Sequence, residues 1–418
     1  MKVLVVGGGG REHAICWKLS QSPHVTRLYC APGNGGIESI AQCVPIAATD
    51  VDGMVKWAKS HAMDFVVVAP DDPLALGMVD AMEAAGIPAF GPTADAAIIE
   101  ASKTFSKNLM KKYNIPTAKY ETFTDMDAAL AYVEAQGAPI VVKADGLALG
   151  KGVIVAQTVE EAKEAVRSMM SDHRFGEAGA KVVIEECMTG PEVTVLAFCD
   201  GEHILCMPSS QDHKRAYDGN QGPNTGGMGA ISPSPNYTAA VAIQCMRDIF
   251  LPTVAALKAE GRPFKGVIYF GLMITPEGPK VVEYNARFGD PECQAVLSLL
   301  DSDLMEIFAA CREVQLNKMD IRWKPGAACC LVLASGGYPG SYQKGYPITG
   351  LEEAGETAVV FHAGTKLDDN GDIVTNGGRV LGVTAVGDNL DEAIDGAYAA
   401  AKHIHFQDMH FRTDIGRV

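Results

Sequence analysis

The sequence predicts a multidomain protein of α/β and α+β class that opens with a doubly wound parallel sheet. Three observations carry this expectation. The chain has 418 residues, and at ~150 residues per domain that length fits two to four domains. Its first hundred residues alternate short apolar, β-branched runs with helix-like segments, the pattern of a parallel sheet with crossover helices. From Pro139 the pattern changes to strand, glycine-rich loop and strand, which marks a second kind of unit.

Taken in order, residues 3–6 form a short apolar run that ends in Gly7, Gly8, Gly9 and Gly10, and residues 12–19 read as the helix that follows. A second strand lies near 25–30. Residues 65–68 (Phe-Val-Val-Val) are continuously apolar, as expected of a strand buried on both faces. Residues 74–85 read as helix and 87–90 as a further strand. Residues 94–113 read as one helix, carrying Lys103, Lys107, Lys111 and Lys112, with a domain boundary near 101–104. Strands at 140–143 and 153–155 flank a glycine loop; a helix at 159–170 and a strand at 181–184 complete a small α+β unit. Residues 209–230 are a polar stretch with five glycines. Structureless loops that long are uncommon in compact domains and are usually functional or disordered. Residues 267–274 and 280–285 read as a hairpin, a helix follows Asp303, and Pro325-Gly326 marks the last boundary. Short strands and a C-terminal helix at 391–403 close the chain.

Hydrophobic residues make up 47% and charged residues 21%, which excludes a wholly disordered chain. Lys+Arg number 35 against 51 Asp+Glu, a net charge of −16. That excludes a general nucleic-acid binder, which needs basic surface to displace counterions. No apolar run approaches the ~20 residues of a membrane span, and the apolar run after Lys2 is too short for a signal-peptide core. The 11 cysteines are scattered, with no C-x-x-C, and read as reduced thiols of a cytoplasmic protein. No histidine falls in H-E-x-x-H or at zinc spacing from cysteine.

The loop from Gly7 to Gly10 sits where a dinucleotide pyrophosphate would bind. The fingerprint G-x-G-x-x-G needs glycine at 12, where Glu12 stands, and the second strand ends Cys30-Ala31-Pro32 with no acid for a ribose. Two readings stay open: an anion held by helix N–H groups and Arg11, or a tight turn with no ligand. The loop from Gly146 to Gly152 fails as a Walker loop, because only three residues separate Gly146 from Gly150 and Gly152 follows Lys151. It reads as a flap over nucleotide phosphates, with Lys143 adding a point charge, or as a hairpin with a surface lysine. Glu283 and Asn285 lie two apart on a strand and share a face. A carboxylate beside an amide oxygen suits Mg²⁺, and Arg287 suits a transferring phosphoryl group or a carboxylate. Glu185 and Glu186 end a strand and Glu192 follows a Gly-Pro turn. They read as solvated acids or as a hinge that binds adenine, with Glu192 on a ribose.

As an ordered set these motifs resemble the phosphoribosylamine–glycine ligase (glycinamide ribonucleotide synthetase) family of ATP-grasp enzymes. The matching segments are 7–13, 31–34, 143–152, 210–215, 222–229, 283–292 and 376–379, and Q-D-H-K-R, G-P-N-T-G-G-M-G and N-A-R-F-G-D-P-E are the most specific. The resemblance implies an N-terminal α/β domain (1–101), an ATP-grasp core (102–325) with a small lid at about 119–189, and a C-terminal β-rich domain (326–418). It implies ligation of glycine to 5-phosphoribosylamine through glycyl phosphate, with ATP as cosubstrate and Mg²⁺ or, as an alternative, Mn²⁺. ATP would meet Lys103, Lys143, Gly146, Gly150, Lys151 and Gly152, with Glu185, Glu186 and Cys187 at adenine and Glu192 at ribose. Glu283 and Asn285 would hold the metal. Arg287, Asp212 and Lys214 would surround the reacting groups, beside Gly226 and Gly227. Gly9, Gly10, Arg11, Asn34, Asp71, Lys366 and Arg379 would bind phosphoribosylamine. The expected enzyme is a cytoplasmic monomer or weak dimer with no nucleic-acid or membrane partner. Three positions depart from the family's usual pattern: Gly8 for asparagine, Asp71 for glutamate and Leu149 for alanine. Rival readings are another carboxylate ligase, an NAD-dependent oxidoreductase and a silent nucleotide sensor.

Overall fold

The structure is a computed structural model that describes residues 1–148, 152–171 and 180–418. The chain opens with a five-stranded parallel sheet, ordered Gln42–Cys43, Arg27–Pro32, Lys2–Gly7, Phe65–Val68, Ala89–Phe90. Phe65–Val68 is buried along its whole length, so its unbroken apolar run follows from burial on both faces. The short edge strand Gln42–Cys43 has no apolar run to announce it. The helix expected at 74–85 is two, Asp71–Ala75 and Met78–Ala84, because Gly77 takes a left-handed φ of +83° between them. The helix expected at 94–113 is also two. Ala94–Ala101 ends at Ser102, whose extended backbone breaks the helix and whose hydroxyl accepts the Phe105 N–H to cap Lys103–Lys112.

A small antiparallel sheet follows, ordered Tyr120–Phe123, Val182–Glu186, Ile140–Ala144, Val153–Ala156, under the helices Met126–Gln136 and Val159–Met170. It has a core of its own. The central sheet is antiparallel, ordered Ile204–Cys206, Glu192–Asp200, Lys265–Thr275, Gly278–Asn285. It shares apolar cores with the N-terminal sheet: Leu4 and Val66 belong to one cluster with Ile268 and Phe270.

The polar stretch 209–230 is not a structureless loop. Gln211–Asp212 is an edge strand of the last sheet and Gly229–Ser232 lies next to it; the sheet continues through Ala327–Ala334, Arg379–Gly387 and Val359–His362 and is backed by the helix Leu390–Ala401. Arg215–Tyr217 pairs with Gln221–Asn224. The segment thus pairs largely with itself, and Gly229–Ser232 joins it to the distant strand Ala327–Ala334, a pairing that local patterning does not reveal.

Among the described residues, one helical run, 239–259, is long and apolar enough to cross a membrane by length and composition. This corrects the expectation that no such run exists. Its apolar side chains Cys245, Ile249, Phe250, Val254 and Leu257 are packed in the protein core.

Candidate active site

A cleft of about 1010 Å³ runs between the small sheet, the central sheet and the two outer sheets. Its floor is the strand Gly278–Asn285, which alternates side chains so that Glu283 and Asn285 line the cleft together. Lys214 Nζ lies 3.6 Å from Glu283 Oε1 and 3.8 Å from Glu192 Oε2. Burial alone would push the Glu283 carboxyl up, but Lys214, Lys143, Lys103 and Arg287 together hold it below its usual range. Four cations around one ionised carboxylate make a basin suited to a polyphosphate.

The roof is the small sheet. Lys143 Nζ donates to Val282 O at 3.1 Å and pairs with Glu185 Oε2 at 3.1 Å. Lys107 pairs with the other oxygen of Glu185 at 3.1 Å and donates to Thr117 Oγ1 at 2.7 Å. Glu185 is therefore buried between two lysines, not a solvated strand-end acid. Lys103 Nζ donates to Gly146 O at 2.9 Å and ties the glycine loop to the helix Lys103–Lys112. Gly146 lines the cleft and Gly152 begins the return strand's approach. Leu149, Gly150 and Lys151 lie outside the described residues. At the hinge, Glu186 gives its N–H to Lys119 O and accepts the Lys119 N–H on its carboxylate. Cys187 lines the cleft beside it.

A second group gathers where the central sheet meets the C-terminal one. Asp212 Oδ1 is buried without a hydrogen-bond partner. Burial, and Glu292 beside it, push the Asp212 carboxyl well above the usual carboxylate range against the pull of Lys214 and Arg379. Gly227, at φ +122°, brings its backbone so near that a Cβ there would stand 2.6 Å from Asp212 Oδ1. Glu292 is 2% exposed and accepts from Tyr269 Oη at 2.9 Å, and Tyr269 in turn accepts from Thr194 Oγ1 at 3.1 Å. Arg379 Nη1 donates to Gly226 O and to Asp290 O, both at 2.7 Å. Arg287 Nη2 pairs with Glu100 Oε1 at 2.9 Å, while its Nε is buried without a partner.

In the first glycine loop, several donors are engaged within the protein itself. Glu12 folds back so that Oε2 accepts the Gly9 N–H at 2.8 Å and Oε1 pairs with Arg11. Asp290 Oδ2 accepts the Arg11 N–H at 3.1 Å. Two carboxylates of the protein thus take the donors that a phosphate would need, and Arg11 is held by Glu12 and Phe288 O. Gly10 lies against Gln294, where a Cβ would come within 2.4 Å of Nε2. Asn34 is also a structural residue. Its Nδ2 donates to Gly8 O and His362 O, and its Oδ1 accepts from Gly36 and Ile37 N–H. All four amide valences are used, which pins the N-terminal sheet to the C-terminal one. Lys366 is exposed on the hairpin Thr365–Leu367 and does not line the cleft. Asp71 does line it, at the start of its helix, with Arg11.

Sequence reasoning missed Glu100, Tyr269 and Glu292 as site residues. Glu292 lies at the end of the N-A-R-F-G-D-P-E segment, so its position was available. Glu100 offers only one signal, an acid that the helix Ala94–Ala101 buries among alanines and isoleucines.

Three family models match the chain: phosphoribosylglycinamide synthetase N domain over residues 1–100, its ATP-grasp (A) domain over 101–293 and its C domain over 328–418. The phosphoribosylamine–glycine ligase of Vibrio vulnificus strain CMCP6 is 51% identical over 420 residues, covering 100% of this chain and 98% of that one. The protein of the same name from Escherichia coli O6:H1 is 50% identical, with the same coverages. Among solved structures, the phosphoribosylamine–glycine ligase of Thermotoga maritima superposes with a TM-score of 0.87 at 31% identity, over 99% of this chain and 100% of that one. The biotin carboxylase domain of Hydrogenobacter thermophilus 2-oxoglutarate carboxylase, solved with MgADP and bicarbonate, gives 0.74 at 14% identity over 98% and 91%. That second likeness shows a shared fold.

Proposed function

Because the chain belongs to the phosphoribosylamine–glycine ligase family, and so joins glycine to 5-phosphoribosylamine with ATP in purine biosynthesis, we propose that the cleft described above is where all three substrates meet. The observation that carries this reading is the basin of Lys103, Lys143, Lys214 and Arg287 around Glu283, with Gly146, Leu147 and Ala148 lining the same cleft. In this reading the lysines take the ATP phosphates and Gly146 to Gly152 cover them. The Glu186 carbonyl and Cys187 read adenine, since the Glu186 N–H is already engaged, and Glu192 takes the ribose.

The donor set fits a hard divalent cation. Glu283 is held ionised, and the hydrogen-bond network turns the Asn285 amide so that Nδ2 donates to Glu100 Oε1 (3.0 Å) and Tyr284 O (3.2 Å), which leaves Oδ1 on the cleft side. Glu283 and Asn285 would hold Mg²⁺, or Mn²⁺ in its place, which when bound neutralises phosphate charge and aligns the γ-phosphoryl group.

An amide does not form from a carboxylate and an amine without activation. Arg287 and Lys214 bring the glycine carboxylate to the γ-phosphorus, and an oxygen of that carboxylate displaces ADP to give glycyl phosphate. The amine of phosphoribosylamine attacks the carbonyl carbon, the C–O bond to phosphate breaks, and Asp212 takes the proton the amine loses. Asp212 Oδ1, buried without a hydrogen-bond partner, has its acceptor lone pairs free for that proton. Asp71 and Arg379, where the outer sheets meet the cleft, contact the ribose phosphate. Closure of the small sheet excludes water, which would otherwise hydrolyse the acyl phosphate. The net charge of −16 argues against a nucleic-acid partner.

Carboxyl-¹⁸O-labelled glycine tests the intermediate. Passage through glycyl phosphate moves one labelled oxygen into inorganic phosphate. Unlabelled phosphate at full turnover would mean that the carboxylate is never phosphorylated.

A further inference from the structure

Glu100 is a buried charge in the cleft that this scheme leaves without a role. It is 8% exposed and stands on the N-terminal side of the cleft, on the helix Ala94–Ala101. Its one carboxylate grips three consecutive residues of the floor. Oε2 accepts the Ala286 N–H at 2.8 Å. Oε1 accepts Asn285 Nδ2 at 3.0 Å and pairs with Arg287 Nη2 at 2.9 Å. Burial pushes the Glu100 carboxyl up, against the pull of Arg287 and the Ala286 N–H; with the Asn285 amide turned so that Nδ2 faces it, every partner is a donor, which an ionised carboxylate satisfies in full.

We propose that Glu100 is a positioning residue that fixes the Asn285 amide with its oxygen toward the cation and aims Arg287 at the reacting carboxylate. The proposal rests on the metal reading of Glu283 and Asn285 given above. An Asn amide reads either way round at almost no difference in shape, so something must choose the face it presents. Glu100 makes that choice together with the Tyr284 carbonyl, which accepts the same Nδ2 at 3.2 Å. A glutamine at 100 upsets it. Its oxygen can accept from the Ala286 N–H, but its Nε2 then faces Asn285 and Arg287, both donors. The Asn285 amide then either meets that Nε2 with a donor or turns over, which sets Oδ1 against the Tyr284 carbonyl and Nδ2 toward the cation; both loosen the hold on its oxygen.

Mn²⁺ binding in the presence of ADP, followed through the electron paramagnetic resonance signal of the free ion, reads this without turnover. Glu100→Gln should bind Mn²⁺ about tenfold more weakly, the usual scale for residues that orient a metal ligand, while metal-free ADP binding stays within about twofold of the parent. The double variant Glu100→Gln/Asn285→Ala should be no weaker than Asn285→Ala alone, because Glu100 acts through Asn285. Unchanged Mn²⁺ affinity in Glu100→Gln, or a fully additive double variant, overturns the proposal. If Glu100→Gln does not fold, Glu100→Asp serves: it keeps the charge for Arg287 but draws back from Asn285, and unchanged Mn²⁺ affinity there overturns the proposal equally. Glu283→Gln is measured alongside. If it leaves Mn²⁺ binding intact, the metal reading itself fails; if it weakens binding and the Glu100 variants do not, only the positioning role fails.

Discussion

Lys143 Nζ and Lys107 Nζ stand at 3.1 Å from the two oxygens of a single buried carboxylate, Glu185. Two cations sharing one anion leave a surplus positive charge in a poorly hydrated place, and Lys143 is the lysine of the pair on the glycine-loop strand. Lys143→Met should therefore weaken ADP binding by about 1.5–3 kcal/mol, roughly ten- to a hundredfold, the scale of a hydrogen bond to a charged group. The fold should persist, because Lys107 still pairs with Glu185. Calorimetric titration with ADP checks this, and affinity within about twofold of the parent would remove Lys143 from the phosphate site.

Glu283→Gln keeps the shape of the floor strand and removes its charge. Turnover should fall, and the Mg²⁺ concentration for half-maximal turnover should rise by about tenfold or more. A magnesium titration that superposes on the parent's would place the cation elsewhere.

Asn34→Ala separates a structural role from a substrate-binding one. It removes hydrogen bonds to the Gly8 and His362 carbonyls and from the Gly36 and Ile37 N–H groups. At about 1 kcal/mol each, stability should fall by roughly 2–4 kcal/mol. Denaturant unfolding reads the loss. Unchanged stability with a raised KM for phosphoribosylamine alone would return Asn34 to the substrate site.

His13 Nδ1 accepts the His362 N–H at 2.7 Å, so it must be unprotonated. Burial, with His362 adding to it, pushes His13 down to about 3, and burial pushes His362 down to about 4. An unfolded histidine titrates near 6.5. Below that pH the unfolded chain takes up protons that the folded chain refuses, so this stability is fully present above about pH 6.5 and is lost as pH falls toward the folded values. Melting temperature should drop between about pH 7 and pH 5, and less steeply in His13→Gln, whose amide oxygen can still accept. His213, held at about 4 by burial, keeps the slope from vanishing. Parallel slopes in parent and variant would contradict the account.

Much of the fold was legible because its signals are local. The helix Val159–Met170 was found within its own bounds, since Thr158 caps it and its apolar face repeats at helical spacing. Phe65–Val68 was legible from its unbroken apolar run. The breaks at Gly77 and Ser102 were lost because helical periodicity continues across them. The pairing of Gly229–Ser232 with Ala327–Ala334 was lost because it joins distant segments. Within the site, Glu283, Asn285 and Arg287 were legible from chemistry and spacing, Asp212 and Lys214 only from the family resemblance, and all five share one cleft. Glu100 was not, because its partners lie 186 residues further on. What the sequence did not reveal at Asn34, Gly9 and Arg11 is that their polar groups have partners within the fold, in Gly8, His362, Glu12 and Asp290.

The most direct measurement of the central claim is ADP release from ATP, Mg²⁺ and glycine, with and without 5-phosphoribosylamine generated in the assay from ribose 5-phosphate and ammonia. The account predicts sustained release only when glycine and the amine are both present, with glycinamide ribonucleotide formed in equal amount. Sustained release without the amine, or none with both substrates present and ADP binding intact, would contradict it.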